Sequence, residues 1–248
     1  HFTPDAAQAA QCAVLEFEGV YHNAEVHLNG EKIASCPYGY SDFYADLTGK
    51  LLPGRDNVLE VIAHNADQPN SRWYSGAGIY RPVTLWTAPA RHILPDGVQV
   101  RTLSIDPAEV EVTVQTTASG AVAVAILDGE QTVATAQAES NGKAVLRVQI
   151  PNAKLWSPDS PALYRCRTMF GDDCAETTFG VRTLSWGDDG FLLNGKRVIL
   201  LGACVHHDHG VLGACCYPEA EERKVRLLQK VGYNAVRCAH NPCSKAFL

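Results

Sequence analysis

The 248 residues carry 21 basic against 27 acidic side chains, a net charge of −6, with no basic stripe. That balance excludes a nucleic-acid-binding domain. No apolar run approaches membrane-spanning length, so no transmembrane segment is expected. A content of 46% hydrophobic and 19% charged residues is globular, and the length allows one to three domains.

The chain starts at His1 and its single methionine is Met169, so the natural start is expected upstream. Nine cysteines follow no regular framework. They read as reduced thiols of a cytoplasmic protein, with Cys12 and Cys166 as small core residues.

Residues 1–12 are rich in Ala and Gln and fit either a loop or a helix. From Ala13 the pattern is β. Ala13–Phe17 is a short strand. Glu25–Leu28 and Lys32–Ser35 flank Asn29-Gly30, a strong type I′ hairpin signal. Asp42–Asp46 alternates, Leu51–Asn57 holds a Pro-Gly turn, and Val58–His64 and Ile79–Trp86 are further strands. A polar, Gly-rich loop from Asp67 to Gly78 carries Trp73 and Tyr74. Many short strands with turn signals predict a β-sandwich or barrel.

After the linker Ala88-Pro89-Ala90, alternation continues in Val98–Ile105, Val110–Thr116, Val122–Leu127, Thr132–Gln137, Ala144–Ile150, Leu163–Met169 and Thr177–Phe179. Seven strands is the count of an immunoglobulin-like sandwich, and nothing in it resembles a site. From Val181 the style changes again. Phe191–Leu193 and Arg197–Leu200 flank a second Asn-Gly turn at Asn194-Gly195.

Next come two apolar runs that each end in a polar cluster. VILLGACVHHDHGVLG (Val198–Gly213) ends in His206, His207, Asp208 and His209. YNAVRCAHNPC (Tyr233–Cys243) ends in Arg237, His240 and Asn241. Between them lies a helix with Pro218 at its first position. Glu219, Glu221 and Glu222 sit in its first turn; Val225, Leu227, Leu228 and Val231 form its apolar stripe, and Gly232 ends it. Strand, helix, strand makes a right-handed βαβ unit with parallel strands. Both polar clusters then project from the C-terminal edge, where open α/β sheets and (β/α)₈ barrels bind ligands. One βαβ unit cannot cover a parallel sheet, so the chain is expected to stop inside a larger α/β domain.

Taken together, FEGVYHNAEVHLNG (Phe17–Gly30), YGYSDFYADLT (Tyr38–Thr48), SRWYSGAGIYRPVTL (Ser71–Leu85), LWSPDSPALY (Leu155–Tyr164), FGVRT (Phe179–Thr183), FLLNGKRVILLGACVHHDHGVLG (Phe191–Gly213) and GYNAVRCAHNP (Gly232–Pro242) run through nearly the whole chain. Their order resembles glycoside hydrolase family 2, the β-galactosidases, β-glucuronidases and β-mannosidases. The resemblance implies three parts: a jelly-roll β-sandwich over 1–89, N-terminally incomplete, an immunoglobulin-like β-sandwich over 90–181, and the first two β/α units of a TIM barrel over 182–248.

The resemblance implies a fragment of a retaining glycosidase acting on β-glycosides, first of all a β-galactosidase, with β-glucuronidase or β-mannosidase as alternatives. His206 and His240 match histidines that line the sugar subsite, Arg237 matches the arginine of the second strand, and Asp208 matches a frequently acidic position. Asn241 belongs to the same loop. Arg72 and Trp73 lie on a loop that reaches towards the barrel mouth. Some β-galactosidases hold sodium through an aspartate near the position of Arg72, so no sodium site carries over. Magnesium or sodium near the site and homo-oligomers are frequent in the family, but no metal ligand stands out here. Cys204 replaces a frequent asparagine.

Retaining hydrolysis uses two carboxyl groups about 5–5.5 Å apart. The family's two glutamates are expected beyond Leu248, so no catalytic residue is assigned and the chain alone is expected to be inactive. Two rival readings exist. Cys204, His206, His207, Asp208, His209, Cys215, Cys216, Cys238, His240 and Cys243 include zinc ligand types, but without the usual spacing. The β domains could also form a non-catalytic carbohydrate-binding protein, with Trp73 and Tyr74 stacking on sugar faces.

Overall fold

The computed structural model describes residues 1–66 and 75–248. Arg72, Trp73 and Tyr74 therefore lie outside the described residues. The chain divides into two compact units, His1–Thr87 with Leu200–Leu248, and Ala88–Ile199.

The first unit opens with the short helix α1 (Ala6–Ala10). Asp5 accepts from the Gln8 N–H and Gln8 returns a bond to the Asp5 N–H, a reciprocal cap that selects helix over loop. The strands are β1 (Cys12–Phe17), β2 (Val20–Tyr21), β3 (Ala24–Leu28), β4 (Glu31–Cys36), β5 (Phe43–Asp46), β6 (Leu59–Ala63), β7 (Gly78–Ile79) and β8 (Val83–Ala88). They form two three-stranded sheets, β5-β1-β8 and β4-β3-β6, and the small pair β2-β7.

Alternate residues of β1 and β3 point inward. Ala13, Leu15, Phe17, Val26 and Leu28 share one core with Ala45 and Leu47, and Phe17 stacks on Phe43 at 4.9 Å. Two sheets with a common core make a sandwich, one of the two architectures expected. Asn29 and Gly30 both adopt positive φ, 51° and 85°, which the two-residue hairpin loop between Leu28 and Glu31 requires. The fully buried Asn57 side chain accepts from the Leu52 N–H and donates to the Leu52 and Arg55 carbonyls. It thereby holds the Pro53-Gly54 turn.

The second unit contains β9 (Ile93–Ile105), β10 (Ala108–Asp128), β11 (Gln131–Gln149), β12 (Tyr164–Phe170) and β13 (Asp173–Phe179). Their order is β11-β10-β12-β13, with β9 also paired to β10. All seven expected segments are strands, but four of them form just two. Val110–Thr116 and Val122–Leu127 are both parts of β10. Thr132–Gln137 and Ala144–Ile150 are both parts of β11. Between the two halves of β10 the ladder has a register shift, between Gln115 and Ser119. There Thr116 and Ser140 are buried and hydrogen-bond each other at 2.8 Å, so the ladder bends without ending. One core holds both halves, including Val110, Val112, Val122, Ile126, Leu146 and Phe170.

The unit ends in a small antiparallel sheet of β14 (Leu184–Gly187), β15 (Gly190–Leu193) and β16 (Lys196–Arg197). Asn194 and Gly195 turn the last hairpin at φ 52° and 74°. The strand expected through Leu200 stops at Arg197.

The first unit then resumes with β17 (Gly202–Val205), helix α2 (Pro218–Lys230) and β18 (Ala235–Cys238). β17 and β18 pair in parallel, Gly202 opposite Ala235 and Val205 opposite Cys238. Glycine is required at 202, since a Cβ would lie 1.9 Å from the Ala235 carbonyl oxygen. The expected βαβ unit is thus present, its first strand beginning four residues after Val198. The fold is a multidomain one: two β-sandwiches, the second immunoglobulin-like, and the start of a (β/α)₈ barrel. Among the described residues no helix is long and apolar enough to cross a membrane.

Candidate functional site

Helix α2 fixes the loops around it. Pro218 occupies its first turn with Glu219 and Glu221, Lys230 sits in its last, and Gly232 follows at φ 88°. Its buried face differs from the expected apolar stripe. Leu227 and Val231 are exposed, whereas Glu221 is buried and Lys224, Val225 and Leu228 are half-buried. Glu221 is therefore not a solvated helix-start carboxylate. Its Oε1 lies 3.0 Å from His209 Nε2 and its Oε2 lies 3.1 Å from Lys224 Nζ. Burial pushes its pKa up, but the bonds to His209 and Lys224 outweigh burial and hold it below the usual carboxylate range. A buried glutamate on an otherwise amphipathic helix left one sequence signal, the position-matched Lys224 three residues on.

The two polar loops are zipped together directly beyond the strands. The Ala239 N–H donates to the Val205 carbonyl at 3.0 Å. His206 Nδ1 donates to the Ala239 carbonyl at 2.7 Å. A carbonyl only accepts, so Nδ1 carries the proton and Nε2 is the acceptor of the neutral ring. The His206 and His240 rings stand edge to face, centroids 6.3 Å apart. Arg237, exposed on β18, donates to Cys204 Sγ at 3.4 Å across the ladder. Asp208 is half-buried in the first loop. Asn241 Oδ1 accepts from the Tyr38 hydroxyl. His206, His240, Arg237 and Asn241 thus gather at one edge, with Asp208 in the adjoining loop. Arg72 and Trp73 fall outside the described residues.

The sequence did not single out the residues that hold this edge in place. Arg81 is buried, and its guanidinium donates to the carbonyls of Glu18, Tyr40 and Pro242 at 3.2, 3.1 and 2.8 Å. It clamps the β-sandwich strands to the His240 loop. Its Nη2 also lies 3.5 Å from His207 Nδ1. Tyr40 packs against His207 at 5.1 Å and edge-on to Tyr80 at 6.2 Å, and the Tyr80 hydroxyl donates to the Gly39 carbonyl. Burial, with the positive charges of Arg81 and Lys224, lowers the His207 pKa to about 4, so this ring is a neutral packing element at neutral pH. Lys245 completes the docking with an ion pair to the buried Glu16, which also accepts from Trp86 Nε1. A single arginine between Tyr80 and Pro82 was the visible signal for the clamp.

Among the described residues, no three of the candidate zinc donors converge on one point. The arrangement offers an imidazole acceptor of fixed tautomer, a second imidazole, a guanidinium and a half-buried carboxylate. That set suits recognition of several hydroxyl groups on one small polar ligand.

The model of the glycosyl hydrolases family 2 matches residues 96–182, and the model of that family's TIM barrel domain matches residues 185–248. The chain is 38% identical to a β-galactosidase of Bacteroides ovatus over 97% of its own length and 31% of the relative's. It superposes on the crystal structure of a glycosyl hydrolase family 2 member from Bacteroides cellulosilyticus with a TM-score of 0.91 and 35% identity, covering 99% of this chain and 37% of that one. On the β-glucuronidase of Faecalibacterium prausnitzii the TM-score is 0.86 with 30% identity, covering 99% and 47%. The chain spans less than half the length of these relatives.

Proposed function

Because the chain belongs to glycosyl hydrolases family 2, we propose that the whole protein is a retaining β-glycosidase, with a terminal β-galactoside as substrate, and that the edge of β17 and β18 forms part of its sugar subsite. The observation that carries this reading is the His206–Ala239 bond beside His240. It fixes one imidazole with its acceptor nitrogen defined, as a group that receives a sugar hydroxyl must be. Hydrogen bonds to substrate hydroxyls that strengthen in the transition state contribute several kcal/mol in glycosidases. In this reading His206 and His240 position the sugar, Asp208 and Asn241 accept from or donate to further hydroxyls, and the acid/base and nucleophile are carboxyl groups outside residues 1–248.

A β-glucuronide is the second reading. Relatives named β-glucuronidase match as well, and the exposed Arg237 guanidinium is of the kind that pairs with a carboxylate. The test is hydrolysis of aryl β-galactoside, β-glucuronide and β-mannoside by the gene product carrying a complete barrel. One substrate is cleaved, and His206→Ala or His240→Ala lowers kcat/KM at least ~100-fold, a loss of about 2.7 kcal/mol. Arg237→Gln weakens glucuronide turnover more than galactoside turnover only if the second reading holds. No cleavage of any of the three by a folded protein would overturn both.

A further inference from the structure

Cys238 closes β18, and Cys243 follows the His240 loop. The loop doubles back so that both thiols line one small pocket with His206 and His207. Both are reduced and half-buried. The loop between them is tied at Ala239 to the Val205 carbonyl and at Pro242 to Arg81, so the folded loop keeps both thiols on that one pocket. Cys215 and Cys216 have no such arrangement, being adjacent in the chain.

We infer that Cys238 and Cys243 are a dithiol modification site that a low-molecular-weight disulfide converts to an intramolecular disulfide. This inference does not depend on the glycosidase reading. The bridge would close the loop carrying His240 and Asn241, and oxidation would act directly on the edge described above. The chemistry balances with glutathione disulfide as oxidant. One protein thiolate attacks it, its S–S bond breaks, and one glutathione leaves as a thiolate that takes up the proton. The second protein thiolate then attacks the protein sulfur of the mixed disulfide and expels the second glutathione. Two protein thiols are oxidised by two electrons, and one disulfide is reduced to two thiols. Burial, and after it the neighbouring Cys243 thiol, push the Cys238 thiol above its usual range, which makes the exchange slow at neutral pH without changing its end point.

Trypsin offers a clean readout, because cleavage after Arg237 and Lys245 releases Cys238–Lys245, in which these are the only cysteines. The folded chain is equilibrated with glutathione disulfide, acid-quenched, alkylated, digested and weighed. The expected peptide is two hydrogens lighter than the reduced form, carries no alkyl group, and exceeds the glutathione-bearing peptide by at least ~10-fold. Dithiothreitol restores two alkylatable thiols. In Cys243→Ser the same treatment leaves a stable glutathione adduct on Cys238. A wild-type peptide that retains glutathione, or that is doubly alkylated when exposed Cys204 is already modified, would show that the sulfurs do not close and would overturn the inference.

Discussion

His207 and Arg81 show how a single position can carry more than its type announces. His207 stands in a run of histidines and reads as a ligand, yet its ring is packed against Tyr40 beside the Arg81 guanidinium. Its pKa falls to about 4 through burial and the charges of Arg81 and Lys224, with a backbone hydrogen bond at Asn241 and the charge of Glu221 acting in the opposite sense. The unfolded histidine titrates near ~6.5. Between those values the unfolded state binds the extra proton, so stability is full above about pH 6.5 and falls as the pH drops towards 4. The slope from this one group is at most about 1.4 kcal/mol per pH unit, and less in proportion to its contact with water. Urea midpoints measured from pH 7 to pH 4.5 are expected to fall more steeply for the native sequence than for His207→Gln. Parallel pH profiles would show that His207 is not held neutral. The residues legible in advance were His206, His240 and Arg237, whose spacing after two apolar runs placed them on one edge. Arg81 was not legible as a clamp, because its three carbonyl partners lie on segments far apart in the chain.

At the scale of elements, the βαβ unit was legible because each boundary had a local cause: Pro218 at the start of α2, Gly232 after its end, and apolar runs at β17 and β18. The buried face of α2 was not. Hydrophobic periodicity named Leu227 and Val231, but the chain docks the face bearing Glu221 and Lys224, since Glu221 finds His209 and Lys224 finds both Glu221 and the Phe247 ring at 5.5 Å. Periodicity registers apolar area and is blind to a charge that meets its counter-charge inside. The same blindness divided β10 and β11, where buried Thr116 and Ser140 satisfy each other within a continuous ladder. Glu221→Gln keeps the shape of the side chain and removes the counter-charge of Lys224, whose side chain is 18% exposed, and the carboxylate beside His209, whose side chain is 8% exposed. Removing one member of a buried pair costs ~3–5 kcal/mol; partial access of Lys224 to water lowers the expectation to about 2 kcal/mol. Urea denaturation of the variant measures it. A change within ~0.5 kcal/mol, the range of ordinary surface substitutions, would show that the helix docks by its apolar residues alone.

On the scale of the whole molecule, the chain order and the compact units do not coincide. The first unit is assembled from both ends of the sequence, and its parts depend on each other. Arg81 donates to the Pro242 carbonyl, the Cys216 N–H donates to the Tyr80 carbonyl, and Lys245 pairs with buried Glu16. Residues 1–87 alone would leave Glu16 buried without its cation and Arg81 without one of its acceptors. The second unit is different in kind. Ala88–Ile199 is continuous, has its own core from Ile93 to Val181, and pairs β9 to β13 into one sheet system. At about 110 residues it falls in the size range in which a single hydrophobic core sustains a domain. Residues 88–199 expressed alone are therefore expected to unfold in one cooperative transition in urea, with a slope of ~1–2 kcal/mol per molar, and to show the far-ultraviolet signature of β structure. Residues 1–87 expressed alone are expected to lack such a transition, and the same segment joined by a short linker to residues 200–248 is expected to regain it. A cooperative transition in 1–87 by itself would mean that the Arg81 and Lys245 bonds are incidental to that sandwich. A non-cooperative 88–199 would mean that its core, complete as it is, does not suffice to fold it.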